Sequence, residues 1–213
     1  MRLPSERERL EGMGGVLRPR RPEDFEALYS GTPPWETGLP QPAFVRPAEA
    51  GAFRGRVLDV GCGTGEQALL AASMGLEATG IDVAPAAVDR AREKARRRGL
   101  AARFLVGNAV ELAGLGEQFD TVLDSGMFHV LEDEDRHRFV DAVSAVVPAG
   151  GRYFLLCFSE RQPGLCGPRR VTQDEIRAAF ADGWRVDAIE PATMDNAVQR
   201  DAVRCWLASL TRT

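Results

Sequence analysis

Short apolar segments alternate with amphipathic stretches through the middle of the chain. The apolar segments are rich in Val, Ile, Leu and Phe, as in strands buried on both faces, and the stretches between them have helical spacing. Strands separated by helices predict a parallel sheet covered on both sides, with ligands bound at the carboxyl ends of the strands. The predicted strands are residues 56–60, 77–82, 103–106, 119–124 and 152–158, and the predicted helices are 66–74, 85–98 and 134–147.

The two ends of the chain are less regular. Residues 22–29 predict a short helix, and a proline-rich loop follows over 31–42. Thr172 and Glu175 have the spacing of a capping box, which predicts a helix through Phe180. Residues 184–190 and 202–210 predict two further strands. Residues 1–21 lack apolar periodicity and are expected to form a flexible N-terminal segment, so we interpret residues 22–213 as one domain.

The composition of the chain indicates which kinds of binding partner and which cellular compartment to expect. The chain has 213 residues and 44% hydrophobic content, enough for one domain with a sizeable core. Its 27 basic and 31 acidic residues leave a net charge of −4, which favours neither nucleic acid nor a membrane surface as partner. We expect no membrane span and no secretory signal. The cysteines lack metal-ligand or redox spacing, which favours a reduced cytoplasmic protein; they are Cys62, Cys157, Cys166 and Cys205.

A glycine cluster follows the first predicted strand, at Gly61, Gly63 and Gly65. Glycines let the backbone turn sharply and let a ligand approach closely. A dinucleotide-binding loop would carry a third glycine where this chain has Glu66, and no lysine follows to form a phosphate-binding loop. Asp59 adds a second carboxylate, which would repel a pyrophosphate. An acidic loop suits a cationic ligand, and S-adenosylmethionine (SAM) carries an ammonium and a sulfonium.

Polar residues also follow the second and third strands. Asp82 ends the second strand, where a carboxylate can accept hydrogen bonds from both hydroxyls of a ribose. That arrangement serves NAD equally well, so Asp82 alone does not discriminate between the cofactors. Asn108 follows the third strand, and its side-chain oxygen could accept from an adenine amino group, with the Ala109 N–H near the ring.

Four segments in register resemble the cofactor motifs of class I SAM-dependent methyltransferases: VLDVGCGTGE, TGIDVAP, GNA and FDTVLDSGMFHVL. The resemblance implies a Rossmann-like α/β fold with a seven-stranded, mostly parallel sheet, helices on both faces and an antiparallel last strand. It also implies that the glycines line the methionine and ribose, that Asp82 binds the ribose, and that Asn108 and Ala109 bind adenine. The predicted cofactor-binding residues are Trp35, Asp59, Gly61, Gly63, Gly65, Asp82, Val83, Asn108, Ala109, Asp124 and Ser125.

The segment Pro34-Trp35-Glu36-Thr37-Gly38 resembles the P-W-D/E-x-G stretch of the thiopurine, thiol and halide methyltransferase group. It is more similar to a bacterial branch that acts on small phenolic or hydroxylated heteroaromatic compounds. The resemblance implies that residues 22–52 form an N-terminal lid over the cofactor. The Trp35 indole could then face the sulfonium, with Tyr29 beside it. The alternative is that Trp35 only fills the edge of the core.

His129 is the candidate catalytic residue, because it falls just after the fourth strand and could take a proton from the acceptor. The alternative is a structural histidine with a satisfied hydrogen bond. Asp124 could orient the cofactor ammonium or cap the turn. The segment lacks the N/D-P-P-aromatic sequence that holds an extruded base, which argues against nucleic acid substrates. It also lacks a metal-binding carboxylate cluster, so no metal ion is expected.

Arg169, after the fifth strand, could attract an anionic acceptor, although an exposed charge is the alternative. The predicted substrate pocket contains Tyr29, Trp35, Phe128, His129 and Arg169. The predicted function is direct in-line methyl transfer to a small phenolic or hydroxylated heteroaromatic acceptor, on O or N, with S-adenosylhomocysteine (SAH) as product. The alternatives are a thiol or halide methyltransferase and a cofactor-binding regulatory module. The sequence does not fix the acceptor or the oligomeric state.

Overall fold

Seven strands form one sheet in the computed structural model, which describes residues 21–164, 167–197 and 202–213. They are β1 (Arg56–Val60), β2 (Glu77–Asp82), β3 (Ala102–Val106), β4 (Thr121–Ser125), β5 (Arg152–Phe158), β6 (Trp184–Met194) and β7 (Val203–Arg212). Their order is β3-β2-β1-β4-β5-β7-β6. Strands β1 to β5 pair in parallel, and β7 runs antiparallel to both β5 and β6. The expected Rossmann-like sheet with a reversed last strand is confirmed.

The helices lie between the strands and before the first one. They are α1 (Pro22–Leu28), α2 (Pro42–Glu49), α3 (Glu66–Ser73), α4 (Pro85–Arg98), α5 (Asp133–Val146) and α6 (Gln173–Ala179), with a 3-10 helix over Ala109–Leu115. Within the described ranges, none of them has the length and apolar content needed to cross a bilayer. Apart from Arg21, the predicted flexible segment 1–21 lies outside the described residues.

The core consists of two apolar layers, one on each face of the sheet. Successive residues of a strand point to opposite faces, so Val57 and Leu58 of β1 enter different layers. The Leu58 layer includes residues of α5 and α6, and the Val57 layer includes residues of α2, α3 and α4. Representative members are Phe139, Tyr153, Leu155 and Ile176 in the first layer and Phe44, Leu69, Ala91 and Phe154 in the second. The expectation that helices cover both faces is confirmed.

Two helices were not predicted from the sequence. Helix α2 begins where the proline-rich loop was expected to end, with Pro42 in its first turn, and it also contains Pro47. A proline inside so short a segment obscures the helical pattern, yet buried Phe44 and Ala48 anchor the helix to the core. The 3-10 helix begins after Asn108, whose side chain accepts from the Val110 N–H.

The predicted capping box at the start of α6 is confirmed. The Thr172 hydroxyl accepts from the Glu175 N–H at 3.1 Å, and Glu175 Oε2 accepts from the Thr172 N–H at 2.8 Å. We expect Thr172→Ala to lower the free energy of unfolding by about 1 kcal/mol, because it leaves a helix N–H without its acceptor. Urea denaturation followed by circular dichroism measures this loss. Thr172→Ser retains the hydroxyl and should restore most of it, and equal losses in both variants would contradict the assignment.

Candidate active site

The glycine loop connects β1 to α3 at the carboxyl end of the sheet. Gly61, Gly63 and Gly65 all have positive φ angles, of 62°, 52° and 88°. A Cβ atom on Gly63 would lie 2.8 Å from the Tyr29 hydroxyl oxygen, and one on Gly65 would lie 2.6 Å from the Phe104 ring. The loop therefore requires glycine both for its backbone conformation and for the close approach of its neighbours.

Asp82 connects this loop to the end of β2. Its Oδ2 accepts from the Gly63 N–H at 2.8 Å, and its Oδ1 accepts from the Ala84 N–H at 2.9 Å. Burial raises the pKa of this carboxyl, while the backbone donors oppose that shift. Each carboxylate oxygen can accept a further hydrogen bond. Asp82 therefore has acceptor capacity left for a ribose.

Asp59 lies below the loop and is fully buried. Its Oδ2 accepts from the Ala68 N–H at 3.1 Å, whereas Oδ1 has no hydrogen-bond partner among the described residues. Burial raises the pKa of this carboxyl well above its usual range. An unpartnered buried acceptor beside a glycine loop and a second carboxylate suits a ligand with donor or cationic groups. These residues therefore fit SAM.

Glu66 does not add free negative charge to the loop. It is buried, with one oxygen 2.7 Å from Lys94 Nζ and the other 2.8 Å from an Arg98 nitrogen. The sequence-based argument that Glu66 favours a cationic ligand by its charge is therefore wrong, because two cations of α4 neutralise it. Asp82 is then the loop's remaining carboxylate with a solvent-accessible fraction, since Asp59 is fully buried.

The end of β3 lies beside Asp82, since the Gly107 N–H donates to the Asp82 carbonyl at 2.9 Å. This contact places the turn that carries Asn108 and buried Ala109 next to the end of β2, which Val83 directly follows. Asn108 Oδ1 already accepts from the Val110 N–H at 3.2 Å, so it caps the 3-10 helix. One lone pair of that amide oxygen remains for an adenine amino group.

Asp124 caps the turn after β4, next to Ser125, which is the last residue of that strand. Its two oxygens accept from the Met127 N–H at 2.7 Å and the Phe128 N–H at 3.1 Å, and Oδ2 also accepts from the Tyr153 hydroxyl at 2.7 Å. Burial raises the pKa of Asp124 to about 7. These contacts show the capping role, and the role of Asp124 in orienting the cofactor ammonium stays a prediction.

His129 is buried and makes a hydrogen bond that limits its chemistry. Its Nδ1 accepts from the Phe158 N–H at 3.0 Å, so the neutral ring carries its proton on Nε2. Burial, with Arg136 and Arg170 nearby, lowers the pKa of His129 to about 3. A Cβ on Gly126 would lie 3.1 Å from Nε2 and 3.7 Å from Met194 Cε, so both side chains approach this glycine. The imidazole is therefore poorly suited to act as a general base and well suited to donate from Nε2.

Two residues predicted to line the substrate pocket are engaged elsewhere. Phe128 is fully buried, with its ring 5.9 Å from that of Phe180 and the Arg136 guanidinium 4.5 Å from its centroid. The capped turn directs it into the core, so the expectation that it lines the pocket is wrong. Arg169 forms ion pairs with Asp133 and Glu175, which occupy its guanidinium; its predicted role in attracting an acceptor is likewise not supported.

Tyr29 and Trp35 lie together against the glycine loop. The Trp35 indole N–H donates to the Tyr29 hydroxyl at 2.9 Å, and their rings meet edge to face at 6.3 Å. Burial and the nearby Asp82 carboxylate raise the pKa of Tyr29. Trp35 is 37% exposed, so it does not simply fill the edge of the core. Both residues are placed at the predicted cofactor end of the sheet.

Sequence reasoning missed the residues that hold this N-terminal segment in place. The Gln41 amide bonds to both backbone groups of Asp195, with Nε2 to the carbonyl at 3.0 Å and Oε1 from the N–H at 2.8 Å. Gln67 Oε1 accepts from the Gln41 N–H at 3.1 Å. No local pattern signals these contacts. Arg90, Lys94 and Arg98, however, recur at every fourth position of α4, and that spacing was visible in the sequence.

Comparisons with known proteins agree with this geometry. Residues 57–151 match the model of a methyltransferase domain. The chain is 34% identical over 181 residues to 2-heptyl-1-hydroxyquinolin-4(1H)-one methyltransferase of Mycobacteroides abscessus, with 80% of each chain covered. The chain belongs to the SAM-dependent methyltransferase family. It is therefore an enzyme rather than a regulatory module, and SAM is its methyl donor.

This methyltransferase is also similar to solved structures. One, from work on the conversion of a disulfide bond into a thioacetal group during echinomycin biosynthesis, has a TM-score of 0.83 and 35% identity, covering 90% of this chain and 93% of the other. Magnesium protoporphyrin IX methyltransferase from Synechocystis PCC 6803 with bound SAM has a TM-score of 0.62 and 19% identity, covering 80% of this chain and 76% of the other. The second comparison shows a common fold.

We expect Asp82→Asn to weaken SAH binding by about tenfold to a hundredfold, because hydrogen bonds to a charged acceptor contribute about 1.5–3 kcal/mol. Isothermal titration calorimetry measures the affinity, and circular dichroism confirms folding. Asp89→Asn, at an exposed carboxylate on α4, is the matched control. Unchanged affinity in folded Asp82→Asn would remove Asp82 from the cofactor site.

We expect the His129 ring to stay neutral between pH 5 and 8, because its folded-state pKa is depressed to about 3. The sign follows from linkage: below the ordinary value of 6.5 the unfolded state binds the proton more readily, so burying His129 lowers stability as pH falls. Nitrogen-15 NMR of the imidazole should show the Nε2–H tautomer, with His137 giving the second histidine signal. Titration of His129 near neutral pH would contradict this assignment.

Proposed function

We propose that this enzyme methylates a hydroxyl oxygen, or a ring nitrogen, of a small phenolic or hydroxylated heteroaromatic compound. The observation that carries the proposal is the extent of the similarity to the hydroxyquinolinone methyltransferase. It covers 80% of both chains and so cannot be confined to the domain at residues 57–151. Part of the similarity therefore lies outside that domain.

The proposed methyl transfer requires the protein mainly to orient the donor and the acceptor. SAM, when bound, supplies a methyl group already activated on a sulfonium. Asp82 and the glycine loop hold the donor, and Tyr29 and Trp35 exclude water from its reactive end. An acceptor aligned opposite the sulfur can then attack directly, so a strong base is not essential.

We assign His129 to the acceptor as a hydrogen-bond donor through Nε2. A donor next to an acidic hydroxyl stabilises its ionised form and thereby lowers its pKa. The acceptor would then bind as the oxyanion, and its proton would leave to solvent before transfer. This role replaces general-base catalysis and is consistent with the Nδ1 contact to Phe158.

The N-terminal residues 22–52 are assigned as a lid belonging to the domain at 22–213. The support is that Trp35 and Tyr29 contact one another above Gly63 and that the Pro34 carbonyl accepts from the Ala197 N–H at 2.7 Å. The segment thus contacts the cofactor loop on one side and the loop between β6 and β7 on the other. An acceptor held between them would be closed off by the same residues.

A sulfur acceptor is the second candidate. The support is the 35% identity to the structure from echinomycin biosynthesis, whose subject is sulfur chemistry on a disulfide. Phe158 and Met194, near His129, give that region a soft and apolar character that would also suit a thiolate. A thiolate needs no hydrogen-bond donor, so the His129→Ala variant separates the two acceptors.

Metal independence, and the lack of nucleic acid or membrane partners, stay predictions. Among the residues that the structure describes, no group of three or more His, Cys, Asp or Glu side chains is placed to hold a metal ion. We expect turnover to continue undiminished in EDTA. Loss of activity that added Mg²⁺ restores would contradict this expectation.

Detection of SAH formed with a panel of hydroxyquinolines, phenols, thiols and iodide tests the proposed function. We expect product with a hydroxylated heteroaromatic compound, and about a tenfold loss in kcat/KM for it in His129→Ala, matching one lost hydrogen bond to a charged group. SAH binding should be unchanged in that variant. Product with thiols alone would replace the proposed acceptor by sulfur, and equal kcat/KM in wild type and His129→Ala would remove His129 from the acceptor site.

A further inference from the structure

One face of helix α4 contacts the N-terminal segment from the first turn of the helix to its last. Four residues at consecutive i, i+4 positions contact it, and we call this set the α4 stripe: Ala86, Arg90, Lys94 and Arg98. Such positions lie above one another on a helix. They meet successive parts of the N-terminal segment in order, so the segment runs along a straight and rigid edge.

The upper half of the α4 stripe fixes the backbone around Tyr29. The Ala86 N–H donates to Glu26 Oε2 at 3.1 Å. The Arg90 guanidinium donates to the carbonyl of Tyr29 at 2.6 Å and to that of Gly31 at 3.0 Å. The two Arg90 contacts are to backbone carbonyls of the segment, so they set where the chain lies before Trp35.

The lower half is an ion-pair network centred on Lys94. Its Nζ lies 3.1 Å from Glu36 Oε1 and 2.7 Å from Glu66 Oε1, and it also donates to the Thr64 hydroxyl, which in turn donates to Glu36. The side chains of Lys94, Glu36 and Glu66 are only 15%, 13% and 7% exposed. Arg98 completes the network through Glu66.

Lys94 is the residue of this network that links the N-terminal segment to the glycine loop. Glu36 belongs to the N-terminal segment and directly follows Trp35, whereas Glu66 and Thr64 flank the end of the glycine loop. Glu66 has Arg98 as a second cation, but Glu36 pairs with Lys94 alone among the described residues. Without the Lys94 ammonium, two nearly buried carboxylates would face one another and favour separation.

We propose that Lys94 is a positioning residue that holds residues 29–38 closed against the glycine loop, so that the Glu36–Lys94 pair must separate each time the cofactor exchanges. This inference rests on the proposed lid role of residues 22–52. It assigns to α4 a function beyond packing against β2 and β3, because the same helix also sets the position of Trp35.

Lys94→Met tests the proposal, because methionine keeps an unbranched side chain that is one atom shorter and removes the charge. Arg96→Met, at an exposed position on another face of α4, is the matched control. In cofactor-free protein, we expect acrylamide to quench Trp35 fluorescence more strongly in Lys94→Met; Trp184 and Trp206 are buried, and Trp35→Phe gives their background. We also expect SAH to dissociate about tenfold faster in stopped-flow measurements, as one lost ion pair of this kind implies.

Glu36→Gln removes the charge from the other side of the pair and leaves α4 intact. It should raise both quenching and the SAH dissociation rate, and it decides the question alone if Lys94→Met does not fold. The double variant should release SAH no faster than Lys94→Met, because the contact is already lost. Unchanged quenching and dissociation in folded single variants, or effects that multiply in the double variant, would overturn the proposal.

These readouts need no acceptor, so they remain informative whatever the panel of acceptors shows. A panel without product together with faster SAH release in Lys94→Met would leave the role of Lys94 standing and reject the acceptor class. Product from the panel together with unchanged release and quenching would reject only the role of Lys94. In steady state, Lys94→Met should raise the KM for SAM with little change in kcat, whereas a general loss of structure would lower kcat.

Discussion

The cofactor end of this sheet depends on one carboxylate. Asp82 accepts from the N–H of Gly63 in the loop after β1 and from the N–H of Ala84 in the turn into α4. It thereby adds a side-chain link between two strand-to-helix turns, beside the backbone hydrogen bond from the Cys62 N–H to the Ile81 carbonyl. Because α4 begins at Pro85, the same contact also sets the direction of the helix on which the N-terminal segment lies. The start of α4 thus connects the proposed cofactor site to the proposed lid.

A second buried carboxylate, that of Asp124, orders the proposed acceptor side through contacts to the backbone. Asp124 closes the turn after β4, and that turn sends Phe128 into the core and places His129 against Phe158. An activated methyl donor leaves the protein to orient and desolvate the reactants rather than to move protons. A neutral histidine whose available N–H faces Gly126 fits that requirement better than a base would.

The local patterns predicted the fold well because strand periodicity, glycine turns and helix caps are encoded by neighbouring residues. The same patterns located the glycine loop and Asp82 at adjacent strand ends. The features that these patterns did not predict depend on contacts between residues far apart in the sequence. From the sequence Glu66 was expected to be a free charge, but it forms ion pairs with Lys94 and Arg98 of another helix. Arg169 likewise forms ion pairs with Asp133 and Glu175. The directions of Phe128 and His129 depend on a capped turn whose geometry a strand pattern does not contain. The spacing of Arg90, Lys94 and Arg98 was visible, but not the segment that it meets.

A crystal structure of the SAH complex tests the central claim most directly, because it locates donor and lid together. The account predicts both ribose hydroxyls within hydrogen-bond distance of the Asp82 carboxylate and the indole of Trp35 over the sulfur. It also predicts the Glu36–Lys94 pair intact beside the glycine loop. SAH bound with its ribose away from Asp82, or with residues 29–38 displaced from α4 while the ligand is in place, would contradict the account.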